Sequence, residues 1–276
     1  MEVKNLGHLK NIMKNQTKVL QISNNSGYDY YFCRQFLDRL FKTDPDHFIL
    51  IGSFSQFAYM GDIKRPLTDI DVHSDKLDEG IDVVKVAIDD SKNDKIVLNL
   101  KDIFITPNNT ACIRIMCNFE KMQHLIGIDI TEDRYLSVDR RGLPALLDID
   151  APFDVNTITL EEHFARKLKS ACLRLQWYKE ESKPFRRFKD FYDLNVMLES
   201  GKVDLDKALE YFNEMRDIFQ FKVDPSIIDD EFIIKNKEKW DVEASSYSYK
   251  ENDYLATLAC VKNVIDMAAM RKGRQK

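Results

Sequence analysis

The hydrophobic positions of the first 46 residues recur at helical spacing. Phe32, Phe36 and Leu40 lie four residues apart, with charged side chains between them. The run "DPD" at residues 44–46 ends this pattern, because proline and aspartate favour turns. We therefore predict that the N-terminal segment is helical up to about Asp46.

A series of short apolar runs follows and is typical of β-strands. "HFILIG" ends at Gly52, "LTDIDVHS" alternates between apolar and polar residues, and three later runs are rich in Ile and Val: "KIVLNLKDIFITP", "TACIRIMCNFEK" and "HLIGIDITED". "SFSQFAYMG" opens with Ser53, a common N-cap residue, and predicts about two helical turns. Residues 77–92 predict another helix. Together these elements indicate a small mixed sheet with flanking helices.

From about Thr159 the spacing of apolar residues becomes helical again. "LEEHFARKLKSACLRLQWYKEE" is strongly periodic, "FKDFYDLNVMLES" follows, and two or three further helices complete the chain. We place the boundary within residues 148–157. The predicted fold class is α+β, with an N-terminal domain (1–154) that holds the sheet and a helical C-terminal domain (155–276).

Composition and charge narrow the classes of function. The 276 residues are 44% hydrophobic and 32% charged, and the net charge of −5 argues against coating of nucleic acid by bulk positive charge. No run reaches the roughly 18 uncharged apolar residues of a membrane helix, and the N-terminus lacks a continuous apolar segment. We therefore expect a cytoplasmic protein without membrane contact. Five cysteines without a CxxC pair favour reduced thiols over disulfides or a zinc site.

Three aspartates interrupt the apolar strands. Asp69 and Asp71 are one residue apart on a strand and so share a face, and Asp129 lies on another predicted strand. Neighbouring carboxylates repel each other unless a cation lies between them, and Mg²⁺ prefers such oxygen ligands. The spacing predicts a Mg²⁺ site, with Mn²⁺ as an alternative. Asp129 would help to hold a metal or take a proton from a hydroxyl.

The Gly52-Ser53 pair stands where a strand meets a helix. Glycine lets a phosphate approach the backbone, and Ser53 and the helix N-terminus offer hydrogen-bond donors. With the three acids this pattern favours phosphoryl transfer. The alternative is that the acids flank an exposed strand edge and that Gly52-Ser53 only caps a helix. Arg65 would meet a triphosphate or remain a surface charge.

The order of these motifs resembles the DNA polymerase β-like nucleotidyltransferase superfamily. The stretch "RQFLDRLFKTDPDHFILIGSFSQFAYMGDIKRPLTDIDV" is similar to the start of the AbiEii-type nucleotidyltransferase toxins, including the related MenT enzymes. Fifteen residues separate Ser53 from Asp69, which is more than the usual pattern has, and a longer connection at "GDIKRP" accounts for them. "EEHFARKL" and "RRFKDFYDLNVML" resemble two later motifs of these toxins.

The resemblance implies a site and an activity. Its active site would lie in the groove between the catalytic sheet domain and a helical lobe, and nucleotide would pass from an NTP, with metal, to an acceptor. Lys167 would contact the nucleotide, and Asp190 and Asp193 would be the acids of the last motif. We favour orientation of Lys167 for Asp190 and a structural role for Asp193; pairing with Arg186 or Lys189 is the alternative. Without the resemblance, a solvated Lys167 would be expected.

The resemblance also implies an acceptor and partners. For the best understood of these toxins the acceptor is the 3′ end of tRNA, and a cognate antitoxin restrains them in toxin–antitoxin or phage-defence systems. Residues 166–189 hold nine basic and two acidic residues, which favours tRNA binding. Trp177, Tyr178 and Phe185 would stack on bases or pack in the core. Two other functions stay open: transfer to a protein or small-molecule hydroxyl, and NTP binding without transfer.

Overall fold

The chain divides into two compact units, Met1–Thr159 and Leu160–Lys276. The structure is a computed structural model that describes residues 3–62, 65–132, 137–149, 151–181, 185, 187–245 and 254–272. Among these residues, no helix has both the length and the apolar character that a membrane crossing requires. The predicted fold class is confirmed: a mixed sheet with N-terminal helices is followed by a helical region.

A seven-stranded mixed sheet forms the centre of the first unit. Its spatial order is β3-β4-β5-β2-β1-β7-β6. The strands are β1 (Ile49–Ile51), β2 (Asp69–His73), β3 (Ile96–Ile105), β4 (Thr110–Phe119), β5 (Met122–Thr131), β6 (Val138–Leu143) and β7 (Phe153–Ile158). β2 pairs in parallel with β5, and β1 pairs in parallel with β7. The remaining neighbours are antiparallel.

Helices cover one face of this sheet. They are α1 (Leu6–Leu20), α2 (Asn24–Thr43) and α4 (Leu77–Asp89), while α3 (Gly52–Met60) follows β1 directly. The predicted apolar stripe of α2 is confirmed, since Phe32, Phe36 and Leu40 are buried. Ile70 and Ile128 point to this core from β2 and β5. Alternation along the strands therefore directs the aspartates of "DID" to the opposite face.

The second unit is helical. It contains α5 (Leu160–Glu181), α6 (Lys189–Glu199), α7 (Leu205–Phe219), α8 (Asp230–Ala244) and α9 (Tyr254–Lys272). Phe185 packs against Phe188, Phe191 and Phe232, with ring centroids 4.8–5.2 Å apart. Phe185 is thus a core residue and not an exposed stacking platform. Its burial confirms the alternative of core packing for this aromatic.

Two features of the first unit differ from the sequence-based expectation. Residues 148–157 include most of β7, which the polar run "DIDAPFDVNT" does not indicate, and β6 was also missed. The other difference concerns Ser53. Helix α3 starts at Gly52 with Ile51 as its N-cap, and none of the described side chains caps it. The N-cap role predicted for Ser53 is therefore wrong, because the N-cap is Ile51, two residues earlier in the chain.

Candidate active site

Asp69, Asp71 and Asp129 lie on the same face of the sheet. In the parallel β2–β5 pair, Asp71 is the Cα partner of Asp129, and Asp69 is the partner of Gly127. Paired residues of adjacent strands point the same way, and so do residues two apart on one strand. All three aspartates are partly exposed on this face, which we call the acidic face. Register thus brings together residues that are up to 60 positions apart in sequence.

Gly52 packs directly against the carboxylate of Asp71. Ile51 is the Cα partner of Asp71, so that the first residue of α3 reaches the acidic face at this point. Gly52 has a φ of 65°, and a Cβ added to it would lie 2.6 Å from Cγ of Asp71 and closer still to Oδ2. Only glycine fits both the backbone angle and the close approach. Close packing therefore places the start of α3 directly beside the Asp71 carboxylate, while the approach of a phosphate to Gly52 remains a prediction.

The hydroxyl of Ser53 is a buried donor beside this glycine. Ser53 is 5% exposed, and its Oγ has no hydrogen-bond partner among the residues that the structure describes. A buried hydroxyl without a partner is costly, so such groups commonly serve a ligand. The N–H groups in the first turn of α3 also lack a side-chain cap. This corner suits an anionic ligand such as phosphate.

Cys112 extends the acidic face beyond Asp129 and was not among the predicted site residues. It is the Cα partner of Asp129 in the β4–β5 pair. Burial, a hydrogen bond to Asp129 and the charges of Asp129 and Asp71 raise the pKa of Cys112 to about 11. The thiol is therefore neutral at pH 7 and donates a hydrogen bond to the Asp129 carboxylate. The sequence does contain a signal for this position. Side chains alternate along "TACIRIM", so Cys112 points to the face opposite the buried Ile113.

Arg65 is buried in the loop before β2. Nη1 donates to the carbonyl of Pro66 over 3.4 Å, and the side chain is 8% exposed. Arg65 is therefore not an exposed surface charge, which was one of the two expectations. Contact with a triphosphate remains a prediction.

The residues present suit Mg²⁺ with two protein carboxylates. Among the described residues, no three His, Cys, Asp or Glu side chains form a group that would hold a metal by themselves. Mg²⁺, however, is usually bound through one or two carboxylates, with water and substrate phosphate as its other ligands. Such a donor set is provided by hard carboxylates next to Gly52 and the start of α3, where the Ser53 hydroxyl has no partner in the part of the chain that the structure describes. The chemistry of the corner therefore fits a metal–nucleotide complex.

In the second unit, Lys167 is clamped between two buried aspartates. Its Nζ lies 3.0 Å from Oδ1 of Asp190 and 2.8 Å from Oδ2 of Asp193. Ser170 donates to Asp190 over 2.9 Å, and Nε of Arg174 is 3.4 Å from the same carboxylate. Asp193 thus contacts Lys167 as closely as Asp190 does. A solvated Lys167 is ruled out, because its side chain is 13% exposed.

The pKa of Asp190 makes this cluster sensitive to acid. Burial acts to raise it, but the charge of Lys167 and hydrogen bonds from Lys167 and Ser170 outweigh burial and hold the pKa below its usual value. A carboxyl whose pKa is lowered in the folded state stabilises the protein above its unfolded pKa. That stability is lost as the pH falls through the folded value.

Replacing Asp190 with asparagine should therefore make the free energy of unfolding less dependent on pH at acidic pH. At pH 7 we expect Asp190→Asn to lower the free energy of unfolding by about 3 kcal/mol, the order seen when a buried ion pair loses one partner. Between pH 6 and pH 3 the variant should lose less stability than the unmodified chain. Urea unfolding at both pH values measures this. Asp241→Asn, an exposed residue of α8, is the control and should keep the original pH dependence.

Fewer basic side chains of segment 166–189 are available for nucleic-acid binding than its composition predicts. Arg166 pairs with Glu162 at 2.9 Å, Lys179 pairs with Asp224 at 2.8 Å, and Lys169 lies over the ring of Phe219. Tyr178 packs edge-on against Phe185 and Phe232. Trp177 is 47% exposed, beside Arg174. Outside the described residues lie two basic residues of this segment, Lys183 and Arg186, and two of the basic C-terminal end, Arg274 and Lys276.

Comparison with solved structures identifies the fold. JHP933 from Helicobacter pylori is similar with a TM-score of 0.53 and 15% identity, over 92% of this chain and 96% of that one. A second H. pylori protein, described as a candidate nucleotidyltransferase, gives a TM-score of 0.51 and 14% identity over 88% and 96%. At these identities the likeness concerns the fold alone. None of the curated proteins searched matches the chain.

The family follows from the sequence profile. Residues 35–260 match the family described as "Nucleotidyl transferase AbiEii toxin, Type IV TA system". The chain belongs to this family, and the match reaches about 60 residues beyond the motifs recognised above. It is therefore a nucleotidyltransferase toxin of a type IV toxin–antitoxin system. An NTP substrate and an antitoxin partner follow from membership.

Proposed function

We propose that the acidic face transfers a nucleoside monophosphate from an NTP to the hydroxyl at the 3′ end of a tRNA. The observation that carries this proposal is the row of Asp71 and Asp129 next to the close-packed Gly52 and the buried Ser53. Asp69 and Asp71 would bind the metal, with Asp129 completing the site. When bound, Mg²⁺ supplies charge neutralisation to the phosphates.

Each residue has a defined part in the proposed step. Gly52 and Ser53 hold the phosphates of the NTP, and Asp129 accepts the proton of the attacking hydroxyl at a carboxylate oxygen. The hydroxyl oxygen forms a bond to the α-phosphorus, while the bond between that phosphorus and the bridging oxygen of pyrophosphate breaks. Pyrophosphate leaves with the electron pair. The contribution of the protein is orientation and electrostatic stabilisation.

Arg65 and Lys167 are proposed as cations for the triphosphate and the departing pyrophosphate. The support for Lys167 is its fixed position, since Asp190 and Asp193 both bind its ammonium group. Asp190 is then a positioning residue that acts through Lys167. We also propose that domain 1–154, which contains Arg65, is the catalytic domain, and that domain 155–276 is the helical domain that contributes Lys167.

Local charge supports a nucleic-acid acceptor. The segment 166–189 keeps an excess of basic residues in a chain of net charge −5, and phosphate contacts of this kind do not depend on base sequence. The exposed Trp177 lies beside Arg174, 6.0 Å from ring centroid to guanidinium carbon, and offers a stacking surface. A protein or small-molecule hydroxyl would need neither feature.

Labelling of total tRNA tests the proposal. The purified chain is incubated with Mg²⁺, total tRNA and each of the four NTPs labelled at the α-phosphate. We expect label at the tRNA 3′ end with one or more NTPs, and none after periodate oxidation of that end. Label found only on protein or on a small molecule would show that this molecule, and not tRNA, is the acceptor. Nucleotide binding without any label would favour a toxin that acts without transfer.

A further inference from the structure

The acidic face continues past the three aspartates to the edge of the sheet. Phe104 on β3 is the Cα partner of Cys112, which is the partner of Asp129. Phe104 therefore points to the same face as Asp129, two strand spacings or about 10 Å away. Its side chain is 50% exposed.

Open space adjoins the acids in the next row of the face. Gly127 is the Cα partner of both Asp69 and Arg114. A Cβ added to Gly127 would meet no atom of the described residues within 4 Å, so that this glycine leaves a depression beside the carboxylates. Neither backbone strain nor tight packing requires glycine there. The depression leaves open space next to Asp69 and Asp129.

Arg114 supplies positive charge on the far side of this depression. Its Nε lies 2.7 Å from Oδ1 of Asp102, and the two side chains are 54% and 42% exposed. Exposed ion pairs of this kind contribute little to stability, so the guanidinium exchanges its partner readily. A phosphate is the natural competitor, because Arg binds it in a bidentate manner.

We propose that Phe104, Gly127 and Arg114 form the acceptor subsite, which receives the unpaired 3′ end of an RNA by stacking a base on Phe104. This inference rests on the proposed function and adds the surface that holds the acceptor. The occupant follows from the order of groups: a ring to stack on, a space for a ribose, a cation for a phosphate, and Asp129 for the hydroxyl. An RNA 3′ end presents base, sugar, phosphate and hydroxyl together over about 10 Å, and unpaired bases stack readily on aromatic side chains.

Kinetics with a short single-stranded RNA that carries a free 3′ hydroxyl test the subsite. Phe104→Ala should raise KM for this RNA by about tenfold to a hundredfold, because each base–aromatic stack has that weight. KM for the NTP should not change, and Phe104→Trp should restore RNA binding. Tryptophan fluorescence of Phe104→Trp should fall when the RNA is added without NTP.

Ile105→Ala is the matched control. Ile105 is 51% exposed, as apolar as its neighbour, and points to the opposite face of the same edge strand. We expect it to leave both KM values unchanged. Arg114→Gln should weaken RNA binding mainly at low salt and reduce the slope of log affinity against log salt by about 0.7, the value for one phosphate contact of a single strand.

The outcomes separate this subsite from the wider proposal. If the unmodified chain labels RNA while Phe104→Ala keeps the same KM for RNA, the subsite is wrong and the proposed function stands. If the unmodified chain labels no RNA at all, both are overturned. A rise in KM that Ile105→Ala shares would also contradict a role of the Phe104 ring, because the effect would then belong to the edge strand in general.

Discussion

Replacing Asp69 or Asp71 with alanine should reduce nucleotide transfer by about a thousandfold or more while the chain stays folded. These carboxylates are the proposed ligands of the metal that neutralises the triphosphate, and loss of a group that acts in the transition state lowers kcat steeply. Both side chains are partly exposed on the acidic face, so their removal leaves no cavity in the core. Transfer of α-labelled NTP measures the loss.

Asp82→Ala is the control for this pair of variants. Asp82 lies on α4 in the same unit, and its side chain is 73% exposed in an ion pair with Lys85. It should retain full activity. All three variants should match the unmodified chain in circular dichroism and in their urea midpoints. Undiminished transfer by either acidic-face variant would overturn the assignment of the site.

Gly52→Ala should produce the second largest effect and should damage both activity and stability. The added methyl group would collide with Asp71, and the φ of 65° is unfavourable for alanine. Displacement of a catalytic carboxylate by even 1 Å costs about a hundredfold in rate, so we expect at least that loss of transfer. The free energy of unfolding should fall by about 2–3 kcal/mol from strain and collision combined.

Gly61→Ala separates these two causes. Gly61 ends α3 with a φ of 74°, but a Cβ there would meet nothing within 4 Å. It should therefore show the backbone penalty alone, about 1 kcal/mol, and normal transfer. Equal activity of the two alanine variants would contradict the close packing between Gly52 and Asp71.

Much of the sheet and its acidic face could be predicted from local patterns. Alternation in "DID" fixes Asp69 and Asp71 on one face, because strand side chains alternate regardless of tertiary context. The pairing of Asp129 with Asp71 could not be predicted in this way, because it depends on strand order and register, and the sequence of one strand does not specify these. Two strands, β6 and β7, were missed because "VDRRGL" and "FDVNTI" carry polar residues and little continuous apolar pattern.

The parts of the site that could not be predicted depend on close contacts between distant residues. Nothing in the run "IGSFS" reveals that Gly52 touches Asp71, or that Ser53 is buried without a partner. The positive charge of segment 166–189 was read correctly as composition, but its acidic partners Glu162 and Asp224 lie outside the segment. Composition cannot show which charges are already compensated in the folded unit.

The most direct test of the central claim is a crystal structure of the chain with Mn²⁺ and a non-hydrolysable NTP analogue. We predict an anomalous peak between the carboxylates of Asp69 and Asp71, phosphate oxygens against Gly52 and Ser53, and the α-phosphorus facing Asp129. A metal and nucleotide bound away from the acidic face, or an Asp129 carboxylate turned from the α-phosphorus, would contradict the account.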